Sequence, residues 1–101
     1  MAELARPQRL SKLMLAMAGG YTRMYYTYVL KCQEDQKLYI GFADNLKNRL
    51  IKHNRGQVKS TKDRRPLKLV YLEGCLNKNK AIKREKYFKT GFGRRFLNER
   101  I

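Results

Sequence analysis

Two apolar and aromatic runs separated by a short polar segment predict a β-hairpin in the first half of the chain. Residues 25–32 are rich in aromatic and β-branched side chains, residues 33–36 are polar, and an apolar pattern returns up to Gly41. If the polar segment is a four-residue loop, Tyr28 pairs with Gly41, and the alternation of side chains places Tyr28 and Tyr39 on one face. Two tyrosines on a sheet face serve packing alone in many proteins, so this pair by itself does not indicate a function.

The pattern after the hairpin predicts a helix. Leu46 and Leu50 form its apolar seam, Asp44 is placed to cap its first turn, and Gly56 should follow its end. The second half of the chain then predicts one strand and two helices.

Residues 67–73 read as the third strand. A second helix, capped by Asn77 or Asn79, should run to about residue 90 and end at Gly91, and a short last helix should start at Arg94. The predicted order is therefore strand, strand, helix, strand, helix, helix.

Composition points to a polyanionic partner. The chain has 101 residues, with 24 Lys or Arg against 8 Asp or Glu, which gives a net charge of +16. Residues 24–101 hold 20 of the basic and 7 of the acidic side chains (20 − 7 = +13). Such an imbalance opposes compaction unless a polyanion offsets it, and nucleic acid is the first candidate. No apolar segment approaches the roughly 20 residues of a spanning helix, so we expect no membrane partner.

The N-terminal composition sets a domain boundary. Residues 1–23 differ from the rest and are expected to be a flexible or appended extension, with the folded domain at residues 24–101. The apolar run in the extension has about six residues, below the 7–15 of a secretory signal, so we expect a cytoplasmic protein. Cys32 and Cys75 show no metal-binding spacing, and His53 is the only histidine, so we expect no Cys/His zinc site.

Arg49 and His53 are four residues apart in the first predicted helix, so their side chains project from one side of it. Residues 55–66 form a basic loop, which is either a solvated connection or a segment that contacts phosphates. In the second interpretation the donors are Lys59, Ser60, Thr61, Lys62, Arg64 and Arg65. Lys83 and Arg84 in the next helix complete the predicted nucleic-acid-binding set.

Glu85 interrupts the apolar stripe of the second predicted helix. Its neighbours on the helix surface are Ala81, Ile82 and Phe88. A carboxylate in such a stripe costs free energy unless a cation meets it. That cation is either Arg49 or another basic side chain, in a salt bridge, or a hard divalent cation such as Mg²⁺, which needs only one or two protein oxygens.

These side chains limit the types of reaction that the domain could catalyse. A single histidine in this place supports neither a Ser-His-Asp set nor a cysteine nucleophile with a partner, and a phosphate-binding glycine-rich loop is missing from the sequence. A metal and an arginine that meet developing charge, with a phenol or an imidazole that moves a proton, suit phosphodiester hydrolysis.

Five spaced positions resemble the GIY-YIG nuclease superfamily. They are the end of Tyr26-Thr27-Tyr28, the start of Tyr39-Ile40-Gly41, Arg49, His53 and Glu85. Residues 61–66, 69–71 and 81–86 resemble its small stand-alone bacterial branch, which is related to the N-terminal nuclease domain of the bacterial excinuclease. The resemblance implies an α+β fold with a three-stranded antiparallel sheet flanked by helices, in the order β-β-α-β-α-α.

The resemblance also implies roles for the five residues. Tyr28 would be the general base or the group that orients water, and Tyr39 would orient the nucleophile or the scissile phosphate. Arg49 would stabilise phosphate charge and His53 would assist proton transfer. Glu85 would hold a single Mg²⁺ or Mn²⁺ ion.

Three positions qualify the resemblance. Tyr26 stands where the family name has glycine, and Phe42 stands where excinuclease relatives carry a lysine. Asn98 lies near the place of a late polar active-site residue in some members.

The function implied is that of a metal-dependent DNA endonuclease in DNA repair or recombination, with a protein partner that supplies specificity. The alternatives are a non-catalytic nucleic-acid-binding module with the same fold and a basic protein associated with RNA or the ribosome. The Tyr, Arg, His and Glu set favours the enzyme, because a pure binder has no reason to hold a carboxylate against its own polyanion.

Overall fold

The computed structural model describes residues 23–101. Apart from Arg23, the predicted N-terminal extension lies outside these described residues. The elements are β1 (Tyr25–Cys32), β2 (Leu38–Ala43), α1 (Leu46–Asn54), a 3₁₀ turn (Lys62–Arg64), β3 (Leu67–Cys75), α2 (Lys78–Phe88) and α3 (Gly91–Asn98). This order confirms the α+β fold that the sequence predicts. None of the helices in residues 23–101 is long and apolar enough to cross a membrane.

The sheet is antiparallel, with β1 in the centre and the strand order β2-β1-β3. Tyr28 pairs with Gly41 and Leu30 pairs with Tyr39, as the four-residue loop predicts. The loop is closed by a hydrogen bond of 2.9 Å from the Cys32 amide to the Lys37 carbonyl. The register of the hairpin, and with it the shared face of the two tyrosines, is therefore confirmed.

The two faces of the sheet bury different helices, because successive side chains of β1 point to opposite sides. On the first face, which we call the α1 face, Tyr26, Tyr28 and Leu30 pack with Leu46 of α1. On the opposite face, Val29 and Ile40 pack with Phe88 of α2 and Leu97 of α3. Thr27 also points to this second side and donates a hydrogen bond of 2.8 Å to the Ala81 carbonyl of α2.

The start of α1 differs from the prediction by one residue. Asn45, not Asp44, caps the helix, because its side-chain oxygen accepts the amide hydrogen of Asn48 at 3.1 Å. The helix begins at Leu46, so Asn45 directly before it occupies the cap position, from which a side chain reaches the second or third helical amide. Gly56 follows the helix with a φ of +74°, as its predicted position after the helix end requires.

The C-terminal elements also differ from the prediction. β3 continues to Cys75, and α2 ends at Phe88. Helix α3 begins at Gly91 rather than at Arg94, because Thr90 caps it by accepting a hydrogen bond from the Gly93 amide. A Cβ at Gly93 would collide with the backbone of α2. Glycine here lets α3 fold back closely on α2.

Candidate active site

Arg49 and His53 meet the hydroxyl of Tyr28 from consecutive turns of α1. His53 Nε2 lies 2.8 Å from the Tyr28 oxygen, and Arg49 Nε donates to the same oxygen at 3.3 Å. A guanidinium can only donate. The Tyr28 oxygen therefore accepts from Arg49, and its own hydrogen is free to point to His53.

Gly41 makes room for the Tyr28 ring on the neighbouring strand. A Cβ built at Gly41 would strike the Cζ and hydroxyl oxygen of Tyr28. Tyr39 completes the group from β2. The centroid of its ring lies 5.2 Å from that of His53 and 6.4 Å from that of Tyr28. The predicted Tyr28, Tyr39, Arg49 and His53 are thus brought together.

Thr61 belongs to the same group, although the sequence suggested it as a phosphate donor. The residue is fully buried, and its Oγ1 lies 2.8 Å from His53 Nδ1. Its backbone amide donates to the Val58 carbonyl at 3.0 Å, so a tight turn fixes its position. A hydroxyl that is buried and bonded in this way cannot reach a phosphate, and the predicted phosphate contact of Thr61 is wrong. Ser60 and Lys59 beside it are exposed.

Burial controls the proton affinities of the site. Removal of His53 from water, with the nearby Arg49 charge as a second cause, lowers the pKa of the imidazole to about 4. Burial raises the pKa of the Tyr28 phenol, and the hydrogen bond from Arg49 opposes that rise. The hydrogen bond with Tyr28 in turn raises the pKa of Arg49. At neutral pH the site therefore holds a neutral phenol, a neutral imidazole and a guanidinium cation.

Exposure divides the site into an inner and an outer pair. Tyr28 and His53, the inner pair, are 0% and 1% exposed. Tyr39 and Arg49, the outer pair, are half-buried. A substrate that approaches from solvent meets the outer pair first.

Glu85 lies on α2, across the sheet from α1, with 22% of its side chain exposed. Its Oε2 is 3.2 Å from Lys89 Nζ, one helical turn further on. Within residues 23–101 it forms no salt bridge with Arg49, so the salt-bridge alternative holds for Lys89 and not for Arg49. The carboxylate is still close enough to Tyr28 to contribute to the raised phenol pKa, after burial and the Tyr39 phenol.

The metal chemistry of this site would depend on Glu85. The described residues contain no group of three or more His, Cys, Asp or Glu side chains that could hold a metal ion. A half-buried single carboxylate suits Mg²⁺, which keeps several waters and takes substrate phosphate oxygens as its other ligands. The donor set thus fits a cation that is shared between Glu85 and a bound phosphate.

The predicted nucleic-acid-binding residues separate into three groups. Exposed side chains are those of Lys59, Lys62, Arg65 and Lys83. Arg64 is half-buried, and its Nη2 donates to the Leu38 carbonyl at 3.3 Å, beside Tyr39. Arg84 differs from all of these, because it binds Glu73 through two hydrogen bonds of 2.8 and 3.0 Å. Its charge is paired with Glu73 within the protein, and its contact with nucleic acid stays a prediction.

Asn98 is exposed at the end of α3. It lines a cleft with Arg64, Arg94 and the hairpin residues Lys37 and Leu38. Three of its neighbours in the cleft are basic, Asp35 and Gln36 also line it, and the cleft extends to the residue before Tyr39.

The two departures from the family pattern are packing residues. Tyr26 is buried opposite Gly74, and its hydroxyl has no hydrogen-bond partner within residues 23–101. Phe42 stacks on Tyr25, with ring centroids 6.3 Å apart and planes 8° from parallel. Neither residue occupies the group around Tyr28.

The fold and the site together define a nuclease-type catalytic domain. Two tyrosines from a β-hairpin meet an arginine and a histidine from the next helix, and a glutamate follows on a later helix. The chain belongs to the GIY-YIG family, since the model of the "GIY-YIG catalytic domain" matches residues 24–98.

Similar proteins come from bacteria and carry names without a stated activity. UPF0213 protein SSP2268 of Staphylococcus saprophyticus is 49% identical over 67 residues, which cover 65% of this chain and 80% of the relative. UPF0213 protein SERP0126 of Staphylococcus epidermidis is 46% identical over the same shares. UPF0213 protein CPE1444 of Clostridium perfringens is 48% identical over 67 residues, 65% of this chain and 71% of the relative. No solved structure matches the chain at a significant level.

Proposed function

We propose that the domain is an endonuclease that hydrolyses DNA phosphodiester bonds with the help of a divalent cation. The observation that carries this proposal is the Arg49 guanidinium, which faces Tyr28 and His53 and has no carboxylate within salt-bridge distance in residues 23–101. A half-buried cation beside two groups that can move a proton suits a phosphate as its missing anion.

Charge supports DNA as the substrate. The exposed Lys59, Lys62, Arg65 and Lys83 offer phosphate contacts without sequence preference. The cleft that holds Arg64, Arg94 and Asn98 extends this surface towards Tyr39. From the resemblance to the excinuclease domain we further infer a role in DNA repair or recombination, with specificity supplied by a protein partner.

Proton transfer runs through the inner pair. An arriving phosphate draws Arg49 away from Tyr28, because a guanidinium binds an anionic phosphate oxygen more strongly than the neutral phenol oxygen at 3.3 Å. Displacement of Arg49 opens the lone pair of Tyr28 to the attacking water, from which it accepts a proton, and the phenol hydrogen passes to His53 Nε2. His53 returns this proton through Tyr28 to solvent when the product leaves. The water oxygen forms the new bond to phosphorus while the bond to the leaving oxygen breaks, and the leaving oxygen takes a proton from solvent.

Glu85 and a phosphate oxygen of the DNA would hold the cation. Mg²⁺ or Mn²⁺ in this place would act as a Lewis acid that withdraws charge from the phosphate. Tyr39, on the outer side, orients the phosphate or the attacking water.

Tyr28→Phe tests the proposal, because it removes only the hydroxyl. Cleavage of linear, nicked and branched DNA in Mg²⁺ or Mn²⁺ should fall about 100-fold or more, the size of a lost acid–base group. DNA affinity should hold, because Tyr28 is buried. Tyr25→Phe is the matched control on the same strand and should cleave normally. A wild-type protein that binds these DNAs and cuts none of them in either metal would overturn the proposal.

Two observations favour the second candidate, a non-catalytic nucleic-acid-binding module. Glu85 is bonded to Lys89, and Tyr28 is sealed from solvent. In that case every DNA in the panel is bound and stays intact, with wild type and Tyr28→Phe indistinguishable.

A further inference from the structure

We propose that Thr61 is a positioning residue that holds His53 in the tautomer with its hydrogen on Nδ1. This inference deepens the proposed function and rests on it for its catalytic consequence. It concerns the one histidine of the chain, which is buried with a hydrogen-bond partner at each ring nitrogen. Those partners are the Tyr28 hydroxyl at Nε2 and the Thr61 hydroxyl at Nδ1, each at 2.8 Å.

The hydrogen-bond count favours one tautomer. A neutral imidazole has one N–H donor and one acceptor nitrogen. With the hydrogen on Nδ1, it donates to Thr61 Oγ1, and Nε2 accepts the hydrogen of Tyr28. The Thr61 hydroxyl then directs its own hydrogen to the Val58 carbonyl, 3.5 Å away. Every hydrogen of Tyr28, His53 and Thr61 has an acceptor.

The opposite tautomer leaves a buried hydrogen without an acceptor. If Nε2 carried the hydrogen, the Tyr28 oxygen would accept from both His53 and Arg49. The hydroxyl hydrogen of Tyr28 would then have no partner, since its contacts within residues 23–101 are His53 and Arg49 alone. Tyr28 is 0% exposed, so water does not satisfy that hydrogen either. An unsatisfied buried donor is strongly disfavoured.

Thr61 is held in the place where it accepts the Nδ1 hydrogen, while the hydrogen bond from Arg49 to Tyr28 makes Nε2 the acceptor. The Thr61 and Lys62 amides both donate to the Val58 carbonyl, at 3.0 and 2.9 Å, which locks the turn. The Thr61 side chain has no exposed surface, so its hydroxyl has no competing bond to solvent. Its effect on catalysis is indirect, because the Nδ1 tautomer turns the lone pair of Nε2 towards the phenol that must give up its proton.

The test is ¹⁵N NMR of the ring nitrogens in the intact protein without DNA, near neutral pH. A single histidine makes the two signals unambiguous. Wild type should show a protonated nitrogen at Nδ1 and an unprotonated one at Nε2. Thr61→Val keeps the shape and loses the acceptor, so its signals should move towards the other tautomer. Thr61→Ser restores the hydroxyl and should restore the wild-type signals.

Cleavage provides the second readout. In Thr61→Val, kcat should fall about 10- to 100-fold, as for other groups that orient a functional histidine. KM should hold, because Thr61 cannot touch DNA, and Thr61→Ser should recover most of kcat. A wild-type hydrogen on Nε2, or unchanged signals in Thr61→Val, would overturn the inference. If wild type has the Nδ1 tautomer but cuts no DNA, the proposed function fails and the tautomer assignment stands.

Discussion

Two arginine clusters lie on opposite faces of the same small sheet, and they differ in how the charge is met. The Arg49 cluster, on the α1 face, consists of Tyr28, Tyr39, Arg49, His53 and Thr61. The Arg84 cluster, on the opposite face, consists of Tyr71, Glu73, Arg84, Phe88 and Phe96. Each combines an arginine, a tyrosine hydroxyl and aromatic or imidazole rings.

The Arg84 cluster is satisfied by its own residues. Glu73 accepts two hydrogen bonds from Arg84 and a third from the Tyr71 hydroxyl at 2.9 Å. The guanidinium carbon also lies 4.6 Å from the Phe88 ring centroid and 4.7 Å from that of Phe96. A cation with a bidentate carboxylate and two rings needs no ligand, so the cluster serves to join β3 to α2 and α3.

In the Arg49 cluster, by contrast, no carboxylate of residues 23–101 meets the charge of the arginine. Its guanidinium meets a phenol at 3.3 Å instead of a carboxylate, and its histidine is kept neutral by burial. The two clusters thus differ because one contains a counter-anion for its arginine and the other, within residues 23–101, contains none. For this reason the proposed function assigns the phosphate of the substrate to the Arg49 cluster.

Glu85→Gln is the change with the largest expected effect on cleavage, because Glu85 is the carboxylate that would hold the metal. If it holds the catalytic metal, cleavage should fall about a thousandfold or more, since a metal that supplies about 4 kcal/mol accounts for three decades of rate. The affinity of the variant for DNA should stay unchanged or increase. The free energy of unfolding without metal should change by about 0.5 kcal/mol or less, because only the exposed Lys89 pair is lost.

A large loss of stability in Glu85→Gln would mean that both clusters contain a counter-anion for their arginine. If Glu85 neutralised Arg49 as Glu73 neutralises Arg84, Glu85→Gln would leave a buried charge unpaired and lower the free energy of unfolding by about 3–5 kcal/mol. Thermal and urea unfolding, measured beside single-turnover cleavage on one preparation, separate the two results.

Arg49→Gln should have the next largest effect on cleavage. Loss of the cation that meets developing phosphate charge costs about 100- to 1,000-fold in rate, in the range of a lost oxyanion donor. Stability should change little, because no ion pair is broken. Single-turnover rates at saturating protein measure the effect on chemistry apart from DNA affinity.

Arg84→Gln is the matched control for Arg49→Gln. It breaks a partly exposed charged pair, so we expect the free energy of unfolding to fall by about 1–3 kcal/mol, with normal cleavage by the folded protein. If the two variants lose activity and stability in equal proportion, the division into a structural and a functional cluster is wrong.

The sequence predicts the geometry of the Arg49 cluster where short-range rules apply. A four-residue loop fixes the pairing of Tyr28 with Gly41, and strand alternation then fixes the shared face of Tyr28 and Tyr39. Helical spacing brings Arg49 and His53 to one side. Their meeting with Tyr28 follows from packing α1 on that face of the sheet.

Contacts that depend on the path of a loop, or on a strand distant in sequence, could not be predicted from the sequence. Thr61 reads as one more polar residue of a basic loop, and nothing in its spacing shows that the turn after Val58 carries it under His53. Arg84 reads as one charge in a basic helix, because its partner Glu73 lies on a strand. Thr90 and Gly91 resemble a helix end, yet they begin α3.

Between pH 6.5 and pH 5 the loss of stability should report mainly the Arg49 cluster, because the Arg84 cluster has no histidine. His53 is faced by Tyr28, Tyr39, Arg49 and Thr61, and its folded pKa of about 4 lies below the usual value of 6.5. Between pH 6.5 and pH 4 the unfolded chain therefore binds a proton that the folded protein does not.

Stability should accordingly be full above pH 6.5 and fall by up to about 3 kcal/mol as the pH drops to 4. Urea unfolding at half-unit pH steps measures this fall. Carboxylates also titrate near the acid end, so the control is His53→Gln, which keeps them and removes the imidazole. The wild type should lose stability more steeply than His53→Gln between pH 6.5 and pH 5, where carboxylates are mostly ionised. Equal slopes in that interval would mean that folding does not lower the pKa of His53, and the argument that burial keeps the imidazole neutral would fail.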